Sequence, residues 1–446
     1  MMGHESPSQP TTSLRHRIVA LLPKWAQASM LVVTLSVLGK GLGLLRELES
    51  ARLFGVSVQM DAFIAASTLI FFVARMASDS LRVSIPGLIG DYKAQNLPIP
   101  WGDLFRALLC LSIFLMLLAL LVLPLLVPVL FGGFAQSEQR LTLQLLNILL
   151  PTIAGWTLIG ALGGILNTQH HYGKYQIALM AASTGVLVTL WLWAKQRGIA
   201  ALGWGWSFGL GLGTVALVIP LWYQVKQIRV WRGWGRQWHV LRRLLTGTGG
   251  LSIWFILNQM PVWIERYYAA ELSEGSLSAL GFAQRLFQLP LEMVTAVVMS
   301  VWIARVVEIP RDRLARHTFR LMGRLAIVSF PIAFLLAFLA RPAVTLVFER
   351  GAFDAQAVKM TSGPFAMYAL GLGFHVLSAV LVRTFQARGL VRYPLIAVVL
   401  DIILIGLLNT YSFRQGWGAT GIALINTSVA GVRVLLLGIC MRFLKF

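Results

Sequence analysis

The sequence predicts an all-α polytopic membrane protein of about twelve transmembrane helices arranged as two six-helix repeats. Three observations carry that prediction. Apolar residues make up 57% of the 446 positions and charged residues only 12%, whereas a soluble domain is about 25% charged. Apolar runs recur along the whole chain, each long enough for the roughly 20 helical residues that cross about 30 Å of hydrocarbon. The second half also repeats the first at a nearly constant offset of 218 residues: Lys174 and Arg392 stand that far apart, and so do Gly198 and Gly416. Pro124 with Phe131-Gly132-Gly133-Phe134 is echoed, with a short insertion, by Pro342 with Phe348-Glu349-Arg350-Gly351-Ala352-Phe353. Two related halves of membrane spans are the organisation of many secondary transporters, which bind substrate between the repeats near the bilayer midplane.

In the first half the spans are predicted at 27–54, 61–90, 103–131, 140–167, 174–195 and 199–224. In the second half they fall at 245–270, 276–306, 318–346, 358–387, 393–412 and 416–441. Charges interrupt the first, second, seventh and eighth. The chain thus divides into an amino-terminal segment over 1–26, a first bundle over 27–225, a basic linker over 226–244 and a second bundle over 245–446. Lysines and arginines set the orientation, because cytoplasmic loops near span ends are enriched in them. Arg15, Arg17 and Lys24 precede the first span, Lys226, Arg229, Arg232, Arg236, Arg242 and Arg243 fill the linker, and Arg305, Arg311, Arg313, Arg316, Arg320 and Arg324 flank the eighth and ninth spans. Opposite loops hold Glu138, Glu271, Glu274 and Asp354. Both termini are therefore expected in the cytoplasm.

The formal charge of +21 is mostly topological on this reading. Nucleic-acid binding is the competing reading of a basic chain, but the basic residues flank spans instead of forming one domain. Cys110 and Cys440, the only cysteines, lie in apolar spans, so neither a disulfide framework nor a thiolate metal site is expected. The first 24 residues have no short apolar core of their own, and no removable signal peptide is expected. No Gly-x-x-x-x-Gly-Lys-Ser/Thr stretch is present, which argues against a nucleotide-driven pump. The run Gly209-Leu210-Gly211-Leu212-Gly213 resembles a phosphate loop superficially, but inside a span small residues serve close helix packing. His170-His171 is expected in a surface loop without a third metal ligand, and Trp231 to Trp238 as an anchor in the headgroup layer.

Charges inside the spans point to function. Lys40, Arg46 and Glu47 interrupt the first span, Asp61, Arg75 and Asp79 the second, and Glu265, Arg285, Glu292 and Asp401 fall in the second half. A cation at the centre of a span costs about 2.5 to 3.5 kcal/mol on insertion scales, so such groups face a wet cavity or a partner. Local neutralisation is the structural alternative: Arg75 and Asp79 are spaced i, i+4, Lys40 and Glu47 i, i+7, and Glu292 lies two turns from Arg285, while for Arg46 the alternatives are an acid on another span or snorkelling to the interface. If the halves face each other, basic residues of the first, second and eighth spans converge on a water-filled cationic cavity. Such a cavity suits an anionic substrate, and arginine's planar fork suits phosphate oxygens.

The stretch Gly39-Lys40-Gly41-Leu42-Gly43-Leu44-Leu45-Arg46-Glu47, with Ala51-Arg52-Leu53-Phe54-Gly55 and Asp61-Ala62-Phe63 after it, resembles the opening of the MurJ (MviN) lipid II flippases of the MOP exporter superfamily. The likeness returns from Glu274 to Pro290, at Phe348 to Phe353 and from Val382 to Gly389, in the family's order along nearly the whole chain. The resemblance implies a V-shaped MOP-type transporter, not an enzyme. It would carry a polyprenyl-diphosphate-linked glycan across the bacterial cytoplasmic membrane by alternating access, with glycan-synthesis machinery as a candidate partner. It implies Lys40, Arg46, Arg75 and Arg285 as substrate-binding cations, with Lys40 replacing the family's usual arginine. Asp61, placed with them in the substrate site, matches the family acid that opens the second span and is expected to orient a cationic neighbour or switch access. Glu265 and Asp401 fall at or near a family site associated with sodium, so sodium or proton coupling is expected without any other cofactor. A protonated acid or an ion pair with Arg266 is the alternative for Glu265.

Two departures bear on the substrate. Where the family has two adjacent arginines in the second span, this chain has Ala74-Arg75. It also ends after about twelve spans, without the two further carboxy-terminal helices that would form a lipid-tail groove. A flippase for an exopolysaccharide or other surface glycan is therefore an alternative to lipid II. A non-transporting scaffold of the same descent, a membrane glycan-transfer enzyme and a cation or drug antiporter are further alternatives. The last two are disfavoured by the short extracytoplasmic loops and by the excess of cavity cations.

Overall fold

The computed structural model describes residues 24–225 and 236–443, and among these it is helical without strands apart from an isolated bridge between Arg350 and Phe353. The first half contains α1 (Lys24–Phe54), α2 (Val58–Ala94), α3 (Trp101–Leu130), α4 (Gln136–Leu149), α5 (Pro151–Thr168), α6 (Tyr172–Arg197) and α7 (Ala200–Val218). A 3-10 turn and the short helix Trp222–Val225 follow α7. The second half contains α8 (Arg236–Ala270), α9 (Ser276–Glu308), α10 (Arg311–Phe338), α11 (Ala340–Phe348), α12 (Ala355–Leu370), α13 (Leu372–Ala387), α14 (Arg392–Arg414) and α15 (Gly418–Phe443).

Seven of these helices are long and apolar enough to cross a membrane, and nine spans result when the bent pairs α4/α5 and α12/α13 each count as one. Charge-bearing α1, α8 and α9, with 31, 35 and 33 residues, have more than the length a crossing needs at about 1.5 Å per residue. They complete six passes per half. The fourth and tenth spans, expected as single helices, bend by 41° and 46°. Pro151 opens α5, where its missing N–H costs nothing, and Gly371 stands between α12 and α13. The break therefore recurs at matching places in the two repeats. The ninth span, expected over 318–346, is instead α10 followed by a break at Leu339 and the separate α11. The basic linker expected over 226–244 also ends early, because helix resumes at Arg236. Most of the 1–26 segment and the first part of the Trp231 to Trp238 anchor lie outside the described residues.

Backbone chemistry explains the repeated glycines. Gly198 and Gly416, the two positions 218 residues apart, both adopt positive φ, +53° and +70°, where a Cβ would be strained. They turn the chain between α6 and α7 and between α14 and α15. The Gly209 to Gly213 run packs helices as expected: a Cβ on Gly213 would lie 2.7 Å from the Ala178 carbonyl oxygen, and Gly209 abuts Ala182 in the same way, while Gly211 faces open space. Large apolar side chains exposed on α3, including Phe114, Leu117, Leu121 and Leu125, provide a surface for lipid tails. His170 and His171 sit between α5 and α6, bonded to Tyr172 and to the Gln169 carbonyl, and no metal-ligand cluster occurs among the described residues.

The two halves meet tightly at the end opposite the termini. The Ala352 amide donates to the Arg52 carbonyl at 2.8 Å. Gly55 and Gly351 lie against the backbones of Ala352 and Arg52, and a Cβ on Gly133 would fall 2.6 Å from the Ala270 carbonyl oxygen.

Candidate functional site

Between the halves lies a cavity of about 380 Å³ whose lining includes Lys40, Arg46 and Glu47 from α1, Arg75 from α2, and Arg285 and Glu292 from α9. The sequence spacing explains how they meet. Lys40 and Glu47 are seven residues apart on α1, and Arg285 and Glu292 are seven apart on α9. Seven residues are two helical turns, or about 10 Å. That places each pair on one helix face, too far apart to bond each other. The helices run in opposite directions, so the two stripes align with opposite charges facing. Lys40 Nζ lies 3.0 Å from Glu292, and Arg285 donates to Glu47. The local alternatives within α1 and α9 are thus replaced by two ion pairs that join the halves.

Glu47 also accepts from Arg46 at 2.9 Å. The Arg46 guanidinium lies 4.3 Å from the centre of the Trp206 ring and that of Arg75 lies 4.9 Å from Trp156, contacts in which the ring face attracts the cation. Arg75 does not form the i, i+4 pair that local neutralisation would have given, since Asp79 is 3.9 Å from Arg82 instead. Four cations and two carboxylates among the lining residues leave a formal charge of +2 in the cavity. Sequence reasoning missed Glu47 and Glu292 as site residues, and Trp156 and Trp206 altogether. The equal seven-residue spacing of opposite charges on two spans was the available signal for the carboxylates.

Asp61 stands apart from this cavity. It is 2% exposed and accepts from the backbone amides of Gly275 at 2.7 Å and Ser278 at 2.6 Å. The α2 carboxylate therefore caps the start of α9, where four amides lack partners within their own helix, and it does so across the two halves. Of the two roles expected for it, orienting a cationic neighbour or switching access, its hydrogen bonds bear on the second, since they go to backbone amides where the halves meet.

Glu265 and Asp401 have separate surroundings. Glu265, 1% exposed, accepts from the Tyr368 hydroxyl at 3.2 Å and from Asn426, and Asn426 bonds His375 at 3.1 Å. Arg266 turns away from it toward the Leu277 carbonyl and Gln284. Asp401 lies 2.6 Å from Arg433 of α15. Glu265 thus accepts from two neutral donors and from no cation, while a guanidinium already occupies one side of Asp401.

Residues 50–444 match the family described as MurJ, lipid II flippase MurJ. Among curated relatives, a probable lipid II flippase MurJ of Rhizobium meliloti is 27% identical, with 89% of this chain and 76% of the relative aligned. One of Thermotoga maritima with the same description is 26% identical over 86% and 79%. A solved structure of lipid II flippase MurJ in an inward closed conformation superposes with a TM-score of 0.80 at 20% identity, covering 93% of this chain and 87% of that one. An inward-facing multidrug MATE transporter of the MOP superfamily gives 0.73 at 13% identity, over 93% and 97%. The structural likenesses establish a MOP-type transporter fold, and the sequence match runs through both six-helix halves. The chain belongs to the lipid II flippase MurJ family.

Proposed function

We propose that this protein translocates lipid II, a polyprenyl-diphosphate-linked glycan, across the bacterial cytoplasmic membrane by alternating access, with both termini in the cytoplasm. The observation that carries the reading is the cavity between the halves, with four cations and a formal charge of +2. A diphosphate diester carries two acidic phosphates and balances that charge. Lys40, Arg46, Arg75 and Arg285 would bind it, the three arginines through their forked donors. Substrate oxygens would compete with Glu47 for Arg46 and Arg285, so binding would loosen an ion pair that joins the halves. That gives the ligand a different affinity for the two states, without which no population shifts. Asp61 would hold the far end shut in the present state. Glu265 would take the coupling ion, sodium or a proton. Surface-glycan transport is not favoured, since the relatives from Rhizobium meliloti and Thermotoga maritima are described as probable lipid II flippases. Contact with the machinery that makes and consumes the glycan would follow from the substrate.

The test is lipid II exposure on the outer leaflet after depletion in the native cell, with wild type and Arg285→Ala as complements. Rescue by wild type alone, with the variant inserted at equal abundance, is expected. Unchanged lipid II on depletion, or full rescue by Arg285→Ala, would overturn the assignment.

A further inference from the structure

A second basic cavity, of about 670 Å³, lies wholly within the second half at the end that carries the termini. Its wall is built from two facing stripes. On α9, Val298, Trp302 and Arg305 recur at helical spacing, with Ile309 just past its end, and on α10, His317, Arg320, Leu321 and Arg324 do the same. The stripes span about 10 Å of helix axis, roughly the depth of a headgroup layer and the first carbons beneath it.

The charge is uneven. Arg305, Arg320, Arg324 and His317 meet a single carboxylate, Glu308. No ion pair within 4.0 Å engages Arg305, Arg320 or Arg324 among the described residues. The floor is apolar and fixed. Trp302 is buried, and its indole N–H donates to Thr384 of α13 at 2.8 Å. Arg388 holds the end of α9 through the Val306 carbonyl at 2.7 Å. The volume lies within the range of about 300 to 1,000 Å³ seen for small-molecule sites. It shares no lining residue with the cavity between the halves.

We propose that this cavity is a binding site for an anionic glycerophospholipid, with the phosphodiester between Arg305 and the Arg320/Arg324 stripe and an acyl chain along Trp302, Val298 and Leu321. Basic pockets between transmembrane helices at the membrane surface recognise acidic lipid headgroups through this combination of charge and apolar depth. The ordinary topological role of loop arginines requires neither a cavity nor a buried indole beneath them. The site is independent of the transported substrate, so its failure would leave the flippase reading untouched.

The experiment is native mass spectrometry of the purified full chain in mixed phosphatidylglycerol and phosphatidylcholine micelles. The variants are Arg320→Gln/Arg324→Gln, Arg305→Gln alone, and Arg311→Gln/Arg316→Gln. The last removes equal charge from the same region without touching the cavity lining. Retention of phosphatidylglycerol over phosphatidylcholine is expected in wild type, falling about tenfold or more in the first variant. Arg305→Gln should weaken it in the same direction from the opposite wall, and the control variant should match wild type. Equal loss in the control variant would reduce the effect to general surface charge and overturn the site. So would absence of a phosphatidylglycerol preference, or displacement of the lipid by millimolar inorganic phosphate, which would mark a free-phosphate site.

Discussion

Replacing Asp61 should unseal the end of the molecule opposite the termini. Its carboxylate accepts two backbone amides of the other half, at 2.7 and 2.6 Å, in a position only 2% exposed. Hydrogen bonds to a charged group contribute about 1.5 to 3 kcal/mol each, and buried donors left unpaired cost more than the bond itself. Asp61→Ala strips both, so the sealed state loses about 3 kcal/mol at the lower limit. That corresponds to a shift of roughly 150-fold in the balance between sealed and open states. Asp61→Asn should give a smaller shift, because its single oxygen serves one amide while its NH2 confronts the other. Val56 reports the change, since it packs against Gly275 at the seal. With Cys110 and Cys440, the free cysteines of the described residues, replaced by alanine, a cysteine at Val56 should react slowly with a membrane-impermeant maleimide in the Asp61 background and many-fold faster in both variants. Equal labelling in all three proteins would refute the capping argument, whatever happened to transport.

Glu47→Gln removes the carboxylate shared by Arg46 and Arg285 and should tighten binding of a short prenyl diphosphate roughly tenfold, about 1.4 kcal/mol, while slowing turnover. Calorimetric titration beside a transport assay checks both, and weaker binding would contradict the proposed competition. Gly209→Ala inserts a methyl group against the Ala182 backbone and should cost about 1 to 3 kcal/mol of stability by overpacking α6 on α7. Gly211→Ala, facing open space, should cost nothing measurable, and thermal unfolding in detergent compares them. Glu265→Gln should leave diphosphate binding intact but abolish the response of transport to an imposed sodium or proton gradient. A retained response would move the coupling site elsewhere.

The fold was legible because hydrocarbon imposes a simple rule: every backbone group must be satisfied within a helix, so long apolar runs translate directly into spans. The repeat was legible through glycines such as Gly198 and Gly416, whose positive φ only a residue without Cβ adopts freely. The bends in the fourth and tenth spans were less visible, because a single Pro151 or Gly371 does not declare whether a helix kinks or continues. For the site, the cations Lys40, Arg46, Arg75 and Arg285 were identifiable from the expense of burying charge, and they do share one cavity. Their partners were left open, because spacing along one helix ranks neighbours within that helix and is silent about the helix across the cavity. Asp61 shows the same limit more sharply. Its partners are backbone amides, which every sequence possesses and none advertises.

The seal between the halves has a consequence for how such a chain can diverge. Its contacts run from main chain to main chain, as at Ala352 and Arg52, or from one carboxylate to main chain, with Gly55, Gly133 and Gly351 clearing the approach. Apolar side chains such as Val56, Phe348 and Phe353 fill the space around these contacts, but the hydrogen bonds themselves depend on backbone position more than on side-chain identity. Gating can thus survive extensive rewriting of the surrounding loops, provided the glycines stay small and one acid remains. The vulnerable point is a single added methyl group, which would wedge the doorway as effectively as a large insertion.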